Sequence, residues 1–439
     1  MAKTTPENFD VIVVGGGPSG LVAATSAARA GAGVLLLESG GCLGGTGTAS
    51  MVAQFHSFFH NDAQVVRGIP GELTERIQEA GGAEGFQEYV MAEASPSGVG
   101  LPLKVFPFNP EIAKIVMDEM VTESGARVLF HTQLVEVVKQ GGRLAGVEVQ
   151  GINSRRALSA KVIVDATGDA IVSKKAGCQV RGEEEDFRRA RMPLTLAFRL
   201  TNVDVPRMRA LPREEKQRLV KKGLERGELF WESLAIFKPP GTTDGISIMS
   251  RIVECDALND DERSKAEITG RQQIKKIVNF MRQEVPGFEN ATLAGIASRA
   301  GVRETRTVVG RYTLTDEDIF QTHTFEDAIA LGSGPYDIHD HKGPGLALRM
   351  PPKPFQIPLR CLLPAQQEGL IVTGRAISAT RGAMSTIRHQ GTVMALGQAA
   401  GAIAAVATQQ GILPHEVGHE DVQKVLREQG AVLAEGEIY

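Results

Sequence analysis

A β-branched run, FDVIVV, breaks at Gly15 into GGGPSGLVAATSAARAG, and the chain resumes as VLLLE, ending at Glu38. An apolar run without helical period followed by an Ala-rich segment reads as a buried parallel strand, a glycine turn and a helix. Each residue type has a task in that order. Gly15 permits the tight turn, Gly17 lets the backbone approach a pyrophosphate, and Gly20 lets the helix pack close to the strand. Pro18 suits the first helical turn, and Ser19 stands beside it, where free N–H groups and the positive dipole end face the phosphates. Glu38, followed by Ser39, falls at about the 20-residue spacing of an acid that binds ribose hydroxyls. A carboxylate there favours an unphosphorylated ribose.

Which dinucleotide is held is decided further along. SGGCLGGTGTAS supplies a second glycine loop with Gly44, Gly45, Thr46 and Thr48, and AKVIVDATGDA carries another strand into Ala166, Thr167, Gly168 and Asp169. These resemble the GG loop and ATG segment of two-dinucleotide-binding flavoproteins, in which one chain region surrounds FAD. An NAD dehydrogenase has no need of them, so FAD is the expected cofactor. Val135 is assigned to the same site. GLIVTG then reads as a strand reaching Gly374 and Arg375, and STIRHQGTVMALGQAAG enters a helix near Gln390, with Arg388, Gly391 and Thr392 assigned to its flavin-facing start. In flavoproteins of this architecture such a helix aims its N-terminus at the flavin N1–C2=O edge, where the dipole stabilises negative charge.

The fold class expected is α/β: a Rossmann-like FAD-binding domain with an inserted α+β substrate domain. With 439 residues the chain has room for both. The nucleotide signatures are scattered, so the FAD-binding domain is expected to be discontinuous, from 1–50, 121–180 and 360–439, with 51–120 and 181–359 forming the substrate or cap domain. Residues 127–150 read as a hairpin around Gly-Gly, 194–201, 244–254 and 312–314 as strands, and 261–285 as an amphipathic helix.

Composition narrows the partners. A formal net charge of −4, with basic residues interleaved among acids as in REEKQRLVKKGLERGE at 213–228, gives no electrostatic case for nucleic acid. Four cysteines without a C-x-x-C pair argue against zinc, an iron–sulfur cluster or a redox disulfide, and Cys42 reads as packing. A reducing, cytoplasmic setting follows as the default. MAKTTPENFD has no apolar h-region, and GTVMALGQAAGAIAAVA, interrupted by Gln398, reads as a packed internal helix rather than a membrane span. The expected partners are a small-molecule substrate and an unidentified electron acceptor; a homo-oligomer is left open.

The stretches GGGPSGLVAA, GGTGTASMV, DATGDA, VPGFENATLAGIASRAGVRETRTVVGRYTLTDEDI, YDIHDHKG, FQIPLRCLLP and GLIVTGRAISATRGAMSTIRHQGTVMALGQAAGAIAA together resemble the bacterial FAD-dependent oxidoreductase family. That family is distantly related to the fumarate reductase and succinate dehydrogenase flavoproteins. The resemblance covers nearly the whole chain. It implies an oxidoreductase that binds FAD without a second NAD(P)H domain, and it implies little about substrate. Where the family is usually apolar after the arginine matching Arg388, this chain has His389 and Gln390.

A flavin dehydrogenase needs a C–H bond over N5 and, for an alcohol or amine, a base for the heteroatom proton. Histidine suits that role. His389 is the first candidate and His56 the second. Arg303, with Arg388, completes the catalytic set. In GVRETR, Arg303 either pairs with Glu304 or clamps a substrate carboxylate. His339-Asp340-His341 reads as a loop rather than a metal site. The reaction expected is hydride transfer between a small organic substrate and flavin N5, with oxygen or another acceptor reoxidising the flavin. The alternatives are a flavin monooxygenase or ene-reductase, or a tRNA-modifying type of FAD protein.

Overall fold

The computed structural model describes residues 7–95 and 100–438, so the first six residues of the stretch read for a leader lie outside the described residues. β1 (Glu7–Val14), α1 (Pro18–Arg29) and β2 (Val34–Leu37) form the expected unit. β3 (Arg127–Leu129), β4 (Gln133–Gln140), β5 (Arg143–Gln150), β6 (Arg155–Asp165) and β7 (Leu370–Val372) complete a sheet of order β3-β2-β1-β6-β5-β4, with β7 also on β6. β3, β2, β1, β6 and β7 run parallel; the β4–β5 hairpin is antiparallel to the start of β6. The hairpin read over 127–150 is therefore two features, because 127–129 leaves it to become the parallel edge strand.

Strand alternation sorts the sheet's two faces. Val11, Val13, Leu36 and Val164 pack on one side with α1 and the long helix α2 (Gln390–Gln410), while Ile12, Val14, Leu35 and Ile163 pack on the other with Leu144, Val147 and Val172. α2 is the one described helix long and apolar enough to cross a membrane, yet it is almost wholly buried. Its interrupting Gln398 is satisfied inside the protein, donating to the Gln429 carbonyl and accepting from Ile69 N–H.

A second core draws on residues 194–300. It contains a four-stranded antiparallel sheet, ordered Ile236–Phe237, Gly245–Ser247, Phe198–Thr201, Thr292–Ile296, backed by the helix Asp260–Glu284. That helix begins on Asn259, whose side chain accepts from the N–H groups of Asp261 and Glu262, with acids filling the first turn.

The strands read over 194–201 and 244–254 are shorter than expected because side chains replace the ladder. Ser250 Oγ bonds both the N–H and the carbonyl of Leu196, and the Gln273 amide does the same for Arg251. Residues 312–314 form no strand; Leu314 makes one isolated bridge to Ala379. The loop read at His339 is also corrected: His339 ends a strand, Tyr336–His339, paired with Leu346–Arg349, and only Asp340 and His341 lie in the turn.

Candidate active site

Four of the parallel strands end together and hand over to the predicted elements: Val14 to Gly15, Leu37 to Glu38, Asp165 to Ala166, and Val372, through Thr373, to Gly374. Crevices at such carboxyl ends are where open α/β sheets bind ligands. A cleft of about 510 Å³ opens there and runs to the second core, lined on that side by Thr195, Trp231, Ile248 and Val302.

The three glycines of the turn are required for three reasons. Gly15 has φ +105°, and a Cβ on it would lie 2.6 Å from the Ala166 carbonyl oxygen. A Cβ on Gly20 would lie 1.7 Å from the Gly15 carbonyl oxygen, so the helix packs directly on the turn. Gly17 caps α1 in extended conformation with no side-chain cap, and its Cβ direction meets nothing within 4 Å. That open space in front of unsatisfied helix N–H groups is a cradle for an anion. Ser19 Oγ bonds Thr373 Oγ1 at 2.7 Å, tying α1 to the end of β7.

Glu38 is buried and lines the cleft. Its Oε2 accepts from Gly16 N–H at 2.8 Å and its Oε1 from Gly40 N–H at 2.7 Å, joining the glycine turn to the following loop. That loop folds back over the turn: Gly44 N–H donates to the Gly16 carbonyl, and the Cβ direction of Gly45 ends 3.0 Å from Gly17 Cα. Asp165, which sequence reasoning passed over, organises the ATG segment, its carboxylate accepting from Thr167 and Ser173. Asp169 is paired with Arg375 and accepts from Thr305 Oγ1.

Of the residues assigned to the cofactor, Gly15, Gly17, Pro18, Ser19, Glu38, Ser39, Gly45, Thr46, Ala166, Thr167, Gly168, Asp169, Gly374, Arg375 and Arg388 line the cleft. Val135 does not; its neighbours Thr132, Gln133 and Leu134 form that wall. Gly20, Gly44 and Thr48 lie behind it as packing, with Thr48 bonded to the Leu43 carbonyl. Gly391 and Thr392 are also off the wall, since a Cβ on Gly391 would lie 2.6 Å from the His56 carbonyl oxygen.

The cleft's far end brings the four expected catalytic residues together. His389 is the N-cap residue of α2, and its ring lies 4.3 Å from that of His56. His389 Nε2 is 2.9 Å from the Pro335 carbonyl oxygen, which only accepts, so Nε2 carries the proton and Nδ1 the lone pair. Nδ1 has no protein partner among the described residues. His56 Nδ1 lies 3.2 Å from Ser57 Oγ, a hydroxyl that can donate or accept and so fixes no tautomer; His56 Nε2 has no protein partner among the described residues, and Ser57 itself is held at φ +69°. Burial holds His389 well below 6.5, helped by His56 and Arg388, and holds His56 at about 4.

Arg388 donates to the carboxylate of Asp337 at 2.6 Å, so its charge is committed. Glu304 does not pair with Arg303; it accepts from Arg381 and from Met192 N–H. Arg303 instead donates through one guanidinium nitrogen to the Pro193 carbonyl and Thr195 Oγ1, and it has no carboxylate partner among the described residues. His339 is buried in the cleft wall, 3.2 Å from Asp337 and 5.6 Å from the Trp231 ring. Arg251 fixes it, donating toward His339 Nδ1 at 3.0 Å and to the Gly343, Asp340 and Gly345 carbonyls of the hairpin turn. Asp337, Trp231, Arg251 and Arg299 were not singled out from the sequence. The only sequence signal was their charge or aromaticity, since each arrives from a separate element. No group of three or more metal-type ligands occurs among the described residues.

The family described as FAD dependent oxidoreductase matches residues 10–426. Among curated relatives, Protein FixC of Salmonella typhi is 30% identical over 183 residues, 40% of either chain. Thiamine thiazole synthase of Aeropyrum pernix is 31% identical over 178 residues, 38% of this chain and 57% of that one. Digeranylgeranylglycerophospholipid reductase of Thermoplasma acidophilum is 25% identical over 200 residues, 45% of this chain and 48% of that one. These alignments span less than two thirds of the relatives' own length. Among solved structures, a geranylgeranyl bacteriochlorophyll reductase-like protein from Thermoplasma acidophilum aligns with TM-score 0.49 and 15% identity, over 97% of this chain and 83% of that one.

Proposed function

The chain belongs to the FAD-dependent oxidoreductase family and is an FAD-dependent enzyme; from that premise we propose that it moves a hydride between a small organic substrate and the flavin. The observation that carries the reading is the pair of imidazoles, His389 and His56, 4.3 Å apart and each with one ring nitrogen unpartnered among the described residues, at the far end of the dinucleotide cleft.

In this reading the α1 N-terminus at Gly17, Pro18 and Ser19 receives the pyrophosphate, Glu38 the ribose hydroxyls, and Asp169 with Arg375 the stretch between the phosphates and the ring. Bound there, the isoalloxazine supplies two-electron chemistry at N5. The chain's own residues supply the rest. His389 Nδ1 accepts the heteroatom proton as the substrate is oxidised, or returns it in the reverse direction. Arg388 and Asp337 hold the wall beside it, and the second core closes the substrate side with Thr195, Trp231 and Ile248. We propose residues 51–120 and 181–359 as the substrate-facing unit, the second core within the latter supplying this wall.

The test is anaerobic mixing of the FAD-loaded protein with alcohols, amines and carboxylates, following flavin absorbance. Bleaching by one class supports the reading. Because two curated relatives are named reductases or synthases, the same assay is run with NADH and NADPH. Rapid bleaching by either favours a monooxygenase or reductase instead.

A further inference from the structure

The cleft holds more positive charge than its own acids neutralise, and the surplus is divided between its two ends. Arg375 is paired with Asp169 and Arg388 with Asp337, while Glu38 is held by backbone N–H groups. Arg263, Arg299 and Arg303 also line the cleft, and none has an ion pair among the described residues. Arg299 stands at the phosphate end, 3.5 Å from the Cβ direction of Gly45, and the charge of Arg263 bears on Asp169. Those two lie where the pyrophosphate's negative charge belongs. Arg303 lies elsewhere. Its charge bears on His339, Asp337 and Arg388, at the imidazole end.

Its hydrogen bonding is half complete. Both of its bonds leave from one terminal nitrogen, so Nε and the other terminal nitrogen have no protein partner among the described residues. Those two donors form one edge of the guanidinium fork, the edge that takes a carboxylate bidentately. Burial and the neighbouring Arg388 bring Arg303 down to about 9, a cost that a bound anion removes. Among the described residues no second cation at this end is free: Arg388 is committed to Asp337, and Arg251 is spent on the turn carbonyls and His339.

We propose that the substrate is a small monocarboxylate, held by its carboxylate on the open edge of Arg303 in the cleft that Trp231 also lines. This rests on the reading of the imidazole end as the reacting end, and it assigns the class of molecule that end accepts. A dicarboxylate fits less well, since its second anion would meet Asp337 with no free cation to receive it.

The test measures binding without turnover, so its outcome does not depend on whether His389 is the base. Trp231 is the only tryptophan in the chain and lines the cleft, so its emission reports occupancy, with the visible spectrum of the bound flavin as a second signal. FAD-loaded protein is titrated with acetate, propanoate, lactate and pyruvate, with the matching amides, and with malonate and succinate. Saturable changes are expected for monocarboxylates, at least ten-fold tighter than for amides and tighter than for the dicarboxylates. Arg303→Met is expected to keep stoichiometric FAD and lose ten-fold or more in carboxylate affinity, with Arg303→Lys between. The proposal is overturned if amides bind as well as acids, if dicarboxylates bind more tightly, or if no acid changes either signal. It is also overturned if Arg303→Met binds acids normally but alters the flavin spectrum, which would assign Arg303 to the cofactor.

Discussion

His389 reaches the cleft with Nε2–H spent on Pro335, so its lone pair is fixed at Nδ1 whenever the ring is neutral. The depressed pKa keeps it neutral throughout the physiological range. His389→Ala is therefore expected to retain FAD and to slow anaerobic flavin reduction by about 10²- to 10⁴-fold, read by stopped-flow absorbance, with partial rescue by added imidazole. An unchanged rate moves the base to His56 Nε2. Gly17→Val makes a complementary case. Its φ of −67° suits valine and its Cβ meets no protein atom, so the flavin-free fold should keep its melting temperature while the methyls occupy the phosphate cradle. Loss of flavin absorbance with an unchanged melt is the expected pattern; full FAD retention would relocate the phosphate site. Gly17 was legible because its task is local, set by a turn of a few residues. Trp231 and Asp337 were not, because their meaning comes from neighbours far away in the chain.

α1 and α2 meet through backbone rather than side chains. A Cβ on Gly397 would lie 2.2 Å from the Ser19 carbonyl oxygen, and one on Gly401 would lie 2.4 Å from that of Ala23. Gly401→Val should cost roughly 1–3 kcal/mol or more in urea denaturation, as overpacking does. Gly397→Ala should in addition weaken FAD retention, because the atom it displaces belongs to the α1 start that faces the phosphates. A mild Gly401 variant would mean that the helices separate easily. The run GTVMALGQAAGAIAAVA, read as a packed internal helix, announced that α2 is buried, but not which helix it packs against. Strand lengths in the second core were less legible: Ser250 and Gln273 satisfy backbone groups that a ladder would otherwise pair, and a run of apolar residues carries no mark of that substitution. His339 was misread for a related reason: the Gly-Pro pairs on both sides of it, Gly334-Pro335 and Gly343-Pro344, suggested a loop, but the first lies just before its strand and only the second in the turn after it.

Across the whole molecule, His56 and His339 each sit near 4 in the folded state, pushed down first by burial. Unfolded, they take up protons near 6.5. Unfolding therefore binds protons between those values, and the flavin-free protein should lose stability as pH falls from about 6.5 to 4. Urea midpoints across that range should fall toward acid, and His339→Gln should flatten the slope; an unaltered slope would mean that His339 does not contribute.

β6 ends at Asp165 and its parallel neighbour β7 begins only at Leu370. A growing chain thus displays the glycine turn, Glu38 and the ATG segment long before Gly374, Arg375 or α2 exist. At 5–20 residues per second, the gap lasts on the order of 10–40 s. Over that interval α1 exposes the small-residue face that α2 will later cover, and the nucleotide crevice has only one wall. Nascent chains halted before β7 should accordingly hold no FAD, and cofactor capture becomes a late step in biogenesis, timed by when the ribosome releases the far side of the crevice.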